Sequence, residues 1–140
     1  MTAALPETVS MRTRDGVRLD ADVYRPNGYG PFPVLLMRMP YGRQIASSIS
    51  YAHPSWYADQ GYIVVIQDVR GRGTSEGVFR LFADDVADGA DTITWAASLP
   101  GSSGAVGMYG FSYQGTNQLL AASSGAPALK ALAPAMIGWD

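Results

Sequence analysis

With 140 residues, 47% of them apolar and 16% charged, the chain can bury one sizeable core and does not have the composition of a disordered tract. A net charge of -2 gives neither the basic stripe that nucleic acid requires nor a polybasic membrane patch, so neither partner is expected. No cysteine and a single histidine exclude disulfides, thiolate nucleophiles and multi-histidine metal clusters. Met1-Thr2-Ala3-Ala4-Leu5-Pro6-Glu7 has no basic opening and no apolar run of signal-peptide length, and no stretch approaches a membrane span, so a cytoplasmic location is expected.

Residues 9–14 and 17–24 flank Asp15-Gly16, a strong two-residue hairpin signal. In the second arm Val17, Leu19, Ala21 and Val23 alternate with Arg18, Asp20 and Asp22, which predicts one buried face and one wet face. Residues 25–30 read as a Pro/Asn/Gly loop. Pro33-Val34-Leu35-Leu36-Met37 is apolar on both faces and predicts a strand inside a covered sheet, ended by Arg38-Met39-Pro40-Tyr41-Gly42. Residues 47–60 are polar and aromatic, with a short helix over 54–60 that Gly61 terminates. Residues 62–67 form the clearest interior strand, and residues 68–77 a long glycine loop. A helix is predicted over 82–99, with Asp84, Asp85 and Asp88 near its N-terminal dipole, an apolar stripe of Phe82, Val86, Ile93 and Ala97, and Pro100 as its stop. A strand over 104–109, a helix over 116–122 and a strand over 129–136 follow. Strands alternating with helices behind an opening hairpin give an α/β fold with a mainly parallel sheet.

Between the last helix and the strand before it lies Gly110-Phe111-Ser112-Tyr113-Gln114-Gly115. A serine at a strand-to-helix turn between small residues is the setting of a nucleophile elbow. The turn strains the central residue, so its neighbours must be small, and the helix that follows aims its N–H groups and dipole at the hydroxyl. Short Gly-Ser turns are common, and the motif alone leaves a plain turn and a nucleophile equally open.

Two further stretches bear on Ser112: Asp68-Val69-Arg70-Gly71-Arg72-Gly73-Thr74-Ser75 after the interior strand, and Arg38-Met39-Pro40-Tyr41 after the earlier one. With Asp15-Gly16-Val17-Arg18-Leu19, Ser75-Glu76-Gly77 and the elbow itself, they resemble the cocaine-esterase-like (CocE/NonD) branch of the α/β-hydrolases, relatives of X-prolyl dipeptidyl-peptidases and α-amino-acid ester hydrolases. That family writes its elbow G-x-S-Y-x-G, which accounts for Gln114. The resemblance implies an α/β-hydrolase-like fold across residues 1–140 that is truncated on its C-terminal side. It implies a serine hydrolase acting on small ester, amide or peptide substrates through an acyl-enzyme, with no cofactor. By the same resemblance Ser112 is the nucleophile, and the Tyr113 N–H and the Tyr41 hydroxyl are the oxyanion donors. A phenol suits that task because it donates to a developing oxyanion without carrying charge. Were the strand and Pro-Tyr context absent, Tyr41 would read as an aromatic loop plug.

Other candidates are set aside. His53 precedes Ser112, whereas the fold's order is nucleophile, acid, histidine, so a surface or helix-start role is expected. Asp68 and Arg70 are expected to pair and hold the glycine loop in shape. Asp84, Asp85, Asp88 and Asp91 are explained by helical spacing and dipole preference, so no metal or catalytic site is assigned to them. Gly71, Gly73 and Gly77 have the wrong spacing for a dinucleotide loop. Trp56, Trp95 and the tyrosines are expected in the core or the cleft wall. After Ser112 the chain has no histidine and only Asp140 as an acid, so feeble turnover or none is expected of these residues alone. The strand over 129–136, left as an apolar and unprotected sheet edge, raises the expectation of self-association. A reading from another class, a non-catalytic remnant that binds a ligand or partner in the same cleft, shares these residues but forms no acyl intermediate.

Overall fold

The computed structural model describes residues 5–47 and 51–138. Residues 1–4 of the chain start, residues 48–50 of the polar-aromatic stretch, and residues 139–140, with Asp140, lie outside the described residues.

Strands β1 (Glu7–Arg12), β2 (Arg18–Tyr24), β3 (Phe32–Met39), β4 (Ile63–Asp68), β5 (Ser102–Phe111) and β6 (Leu129–Ala135) form one sheet, ordered β1-β2-β4-β3-β5-β6. The pairs β3–β4, β3–β5 and β5–β6 are parallel, whereas β1–β2 and β2–β4 are antiparallel. This is the expected mainly parallel sheet with an opening hairpin. Every residue of β4 is buried, as its unbroken Ile63-Val64-Val65-Ile66 run requires of a strand covered on both faces. The pleat then sorts side chains between two layers. Val34, Leu36, Ile63, Val65, Val106 and Met108 pack with Ile93, Ala96 and Ala121 from helices α2 (Asp85–Ala97) and α3 (Tyr113–Ser123). Met37, Met39, Val64, Ile66 and Tyr109 face the other way, with Ala58 of the short helix α1 (Pro54–Asp59). Among the described residues no helix is long and apolar enough to cross a membrane.

Several expectations change. The second face of β2 is not wet, since Asp20 is 6% exposed and Asp22 8%. The Arg43 Nε donates to Asp22 at 2.8 Å and the Thr74 hydroxyl to Asp20 at 2.6 Å, so the glycine loop and the turn after β3 roof this face. Helix α2 begins at Asp85 rather than residue 82, because Phe82 has a φ of 59° and cannot continue a right-handed helix. Its inward face carries Asp85, Asp88, Gly89, Thr92, Ile93 and Ala96, while Val86 faces outward. Aspartates that dipole preference would leave in solvent are buried because arginines meet them there.

Asp68 and Arg70 do not pair. Asp68, fully buried, accepts from the Arg43 N–H at 2.8 Å and from Arg43 Nη1 at 2.6 Å. Gly73 lies so close over this carboxylate that an added Cβ would stand 2.2 Å from it. Arg70 reaches instead to Asp15 of the hairpin turn and to Asp88 of α2, and so ties both to the glycine loop. Ser75 donates to the Asp68 carbonyl at 2.7 Å and accepts from the Asp20 N–H at 2.9 Å. The loop thus keeps its shape, but through partners distant in sequence. Strand β6 lies at the sheet edge, and Lys130 and Pro134 stand within it, two residue types that discourage a further strand from pairing.

The ion pairs of the loop predict acid sensitivity. Hydrogen bonds from Arg70 and Thr13 hold the Asp15 carboxyl below the usual range. Burial pushes the Asp88 carboxyl up, but hydrogen bonds from Arg70 and Arg14 outweigh it and the net shift is downward. Groups depressed in the folded state stabilise it above the unfolded value of about 4 and lose that contribution as pH falls through the folded values. Urea midpoints are expected to be level above about pH 5 and to drop below about pH 4, with a shallower drop in Arg70→Met. Equal acid sensitivity in Arg70→Met and the parent protein would contradict this account of the loop.

Candidate active site

Ser112 stands between the end of β5 and the first residue of α3, exposed, with φ 59° and ψ -121°. Serine rarely adopts this backbone region, and holding it there costs roughly 1–3 kcal/mol that the surroundings must offset. Several contacts do so. The Ser112 N–H donates to the Ala135 carbonyl of β6 at 2.9 Å, and the Ser112 carbonyl accepts from the N–H groups of Gly115 and Thr116 at 3.0 Å each. Gln118 Nε2 donates to the carbonyls of Gln114 and Gly110, at 2.9 and 3.2 Å, and so bridges the start of α3 to the end of β5. Two glycines make room. Gly110 has φ 141°, and a Cβ there would lie 2.5 Å from Gln114 Cβ. At Gly115 a Cβ would lie 2.5 Å from Ile137 Cγ2 and 2.9 Å from the Ala135 carbonyl oxygen. Gln114, where another glycine is common, has its Cβ against the bare Cα of Gly110, so the pair of residues divides the space.

The first N–H groups of α3, those of Tyr113 and Gln114, have no carbonyl four residues back within the helix. They stand at the positive end of the helix dipole, directly after Ser112 in the chain. Tyr41 is 52% exposed and follows the end of β3 by two residues. Because β3 pairs with β5 in parallel, with Leu36 level with Met108, the segment after Met39 and the segment after Phe111 leave the same end of the sheet. Neighbouring strands are about 4.8 Å apart, so Tyr41 and Ser112 emerge from adjacent strand ends. The turn that carries Tyr41 is held by Arg43, which is 8% exposed and bonded to Asp22, Asp68 and Thr74.

The side chain of Tyr113 points inward. Its hydroxyl donates to Asp85 Oδ2 at 2.5 Å, and its ring stacks on Phe82 with centroids 4.5 Å apart. Burial, then the hydrogen bond to Asp85, pushes the phenol above its ordinary range, so it stays a donor throughout neutral pH. On the opposite face Tyr51 lies over Phe111 and Tyr109, at 5.9 and 5.5 Å, which puts an aromatic wall next to the residue that precedes Ser112. Trp95 packs on the core, whereas Trp56 is 53% exposed.

His53 is not brought to Ser112. Its Nδ1 accepts from the Ser55 N–H at 3.2 Å as the N-cap of α1, and its ring meets Tyr24 edge-on at 5.5 Å. Tyr24 pairs with Val64 near the start of β4, at the end of the sheet opposite Ser112. Sequence reasoning missed Arg38, Arg43 and Asp85. The signal for Arg38 was its place in an otherwise apolar buried strand, where a charge requires a partner.

The X-Pro dipeptidyl-peptidase (S15) family matches residues 15–140. The cocaine esterase of Rhodococcus sp. (strain MB1 Bresler) is 45% identical over 139 residues, covering 98% of this chain and 24% of that enzyme. The chain thus spans about a quarter of the length of this curated relative. An α-amino acid ester hydrolase structure superposes with a TM-score of 0.83 at 32% identity, over 99% of this chain and 27% of that one. A CocE/NonD family hydrolase from Staphylococcus aureus gives 0.81 at 28%, over 90% and 26%. The fold is α/β-hydrolase-like.

The elbow's two glycines are testable. Gly110→Ala and Gly115→Val are each expected to lower stability by about 1–3 kcal/mol, read as a lower urea midpoint with an unchanged slope. Unaltered midpoints would mean that the turn is looser than its contacts indicate.

Proposed function

This chain belongs to the X-Pro dipeptidyl-peptidase (S15) family, and on that premise we propose that it carries the nucleophile and the oxyanion donors of a serine hydrolase that cleaves small ester, amide or peptide substrates. The family's members include hydrolases, and the observation that carries the reading is the exposed, strained Ser112 at a strand-to-helix junction. Its Oγ attacks the substrate carbonyl carbon as its proton passes to a general base. The carbonyl oxygen becomes an anion that accepts from the Tyr113 N–H and the Tyr41 hydroxyl. Collapse expels the alcohol or amine, which takes the proton, and leaves an ester at Ser112; water then repeats the sequence to release the acid. Tyr41 is suited to its part because Arg43, two residues on, is locked to β2 and β4. The aromatic wall of Tyr51 and Phe111 offers a surface for an apolar part of the substrate.

The only histidine of residues 1–140 caps α1, so the reading assigns the base and its orienting carboxylate to polypeptide beyond this segment. Residues 1–140 alone are then expected to give little or no burst of p-nitrophenol from p-nitrophenyl esters. In a full-length protein that carries the segment, Ser112→Ala is expected to abolish both burst and turnover. Tyr41→Phe is expected to lower kcat by about 10²–10³-fold, the usual effect of losing one oxyanion donor. Full turnover in Ser112→Ala would defeat the whole reading; full turnover in Tyr41→Phe would remove only the phenol from it.

A further inference from the structure

The residue after the nucleophile is held from an unexpected direction. Arg38 of β3 is fully buried, and its Nη1 donates to Asp85 Oδ1 at 3.0 Å. The other oxygen of the same carboxylate accepts from the Tyr113 hydroxyl at 2.5 Å. Arg38 Nε donates at 2.7 Å to Gln67 Oε1, which also accepts from the Thr92 hydroxyl at 2.9 Å. The Arg38 carbonyl accepts from Asn117 Nδ2 of α3 at 2.8 Å. The N-terminal half of α3 is therefore tied to β3 at Asn117 directly and at Tyr113 through Asp85.

We propose that Asp85, held by Arg38, is a positioning residue that fixes the Tyr113 N–H against the oxyanion. This role presupposes Ser112 as the nucleophile and the Tyr113 N–H as an oxyanion donor. A buried ion pair is weak support for stability as such, and its best-attested use is to select one arrangement among several. Here the arrangement selected is the orientation of α3's first residue. The ring of Tyr113 would still fill its space against Phe82 without the hydroxyl, because the stack with Phe82 does not depend on it. The directional bond to Asp85 adds a fixed point for the ring, and with it for the backbone at 113, beside the bonds that the Ser112 carbonyl accepts from Gly115 and Thr116. Catalysis is sensitive to such sliding, since a misplacement of about 1 Å can cost about 10²-fold. Asp85 touches neither substrate nor nucleophile and acts through Tyr113 alone.

The test uses full-length protein carrying this segment, a p-nitrophenyl ester and an aryl boronic acid as transition-state mimic. Tyr113→Phe keeps the ring and removes the bond, and Asp85→Asn keeps an acceptor and removes the charge. Each is expected to lower kcat by between about 10- and 100-fold with KM within about twofold, and to weaken the boronic acid in parallel with kcat. The double variant is expected to fall no further than the worse single one, because both act through one chain of contacts. If Tyr113→Phe and Asp85→Asn lower the urea midpoint while kcat and boronic-acid affinity stay at the parent values, the network is only a structural pin and the proposal is overturned. Undiminished activity in Ser112→Ala would instead overturn the reading on which it rests. An inactive Ser112→Ala beside fully active Tyr113→Phe and Asp85→Asn would overturn this proposal alone.

Discussion

Everything at the candidate site depends on one backbone conformation, the positive φ of Ser112. A serine does not stay there by its own preference. It stays because β6 takes its N–H, because α3 starts at once and takes its carbonyl, and because Gly110 and Gly115 leave no atom in the way. The cost of the conformation is thus spread over the two strands and the helix that meet at the turn. What results is an exposed serine immediately before the first N–H groups of a helix, an arrangement that an unstrained turn would not present.

The second constraint is the burial of charge. Arg38, Arg43, Asp68, Asp85 and Asp88 are all inside, and removing one partner of such a pair commonly costs 3–5 kcal/mol because it strands the other. Each pair joins elements that lie far apart in sequence: β3 to α2, the turn after β3 to β2 and β4, and the hairpin and glycine loop to α2. The segments that bear Tyr41 and Tyr113 are each gripped by one of these arginine–aspartate pairs, Arg43–Asp68 for the first and Arg38–Asp85 for the second. The glycine loop, which has no evident chemistry of its own, serves as the brace between them.

Local signals in the sequence were reliable, and non-local ones were not. The existence of β2, the unbroken apolar run of β4 and the strand–turn–helix around Gly-Phe-Ser-Tyr-Gln-Gly all depend on neighbours in the chain, and these elements are present, although α3 starts at Tyr113 rather than residue 116 and the second face of β2 is roofed. The choice of ionic partners depends on the folded sheet. Asp68 has Arg70 two residues away, yet β4 ends at Asp68 and the chain turns into the glycine loop, so Arg70 reaches Asp15 and Asp88 while Arg43 from the adjacent strand end reaches the Asp68 carboxylate. For the same reason Asp20, Asp22, Asp85 and Asp88 read as solvent-facing, since nothing nearby in the chain announces the arginines that bury them. The start of α2 was missed because a single residue, Phe82, adopts a left-handed conformation that no propensity would assign to phenylalanine. The sequence offers Tyr113 as a candidate backbone donor, whereas the bond from its side chain to Asp85 is visible only in the fold.

The most direct measurement is a crystal structure of full-length protein carrying this segment after reaction with a fluorophosphonate. The account predicts phosphorus bonded to Ser112 Oγ, with one phosphoryl oxygen about 2.7–3.1 Å from both the Tyr113 nitrogen and the Tyr41 hydroxyl. An unmodified Ser112, or an adduct whose oxygens lie away from both donors, would contradict it.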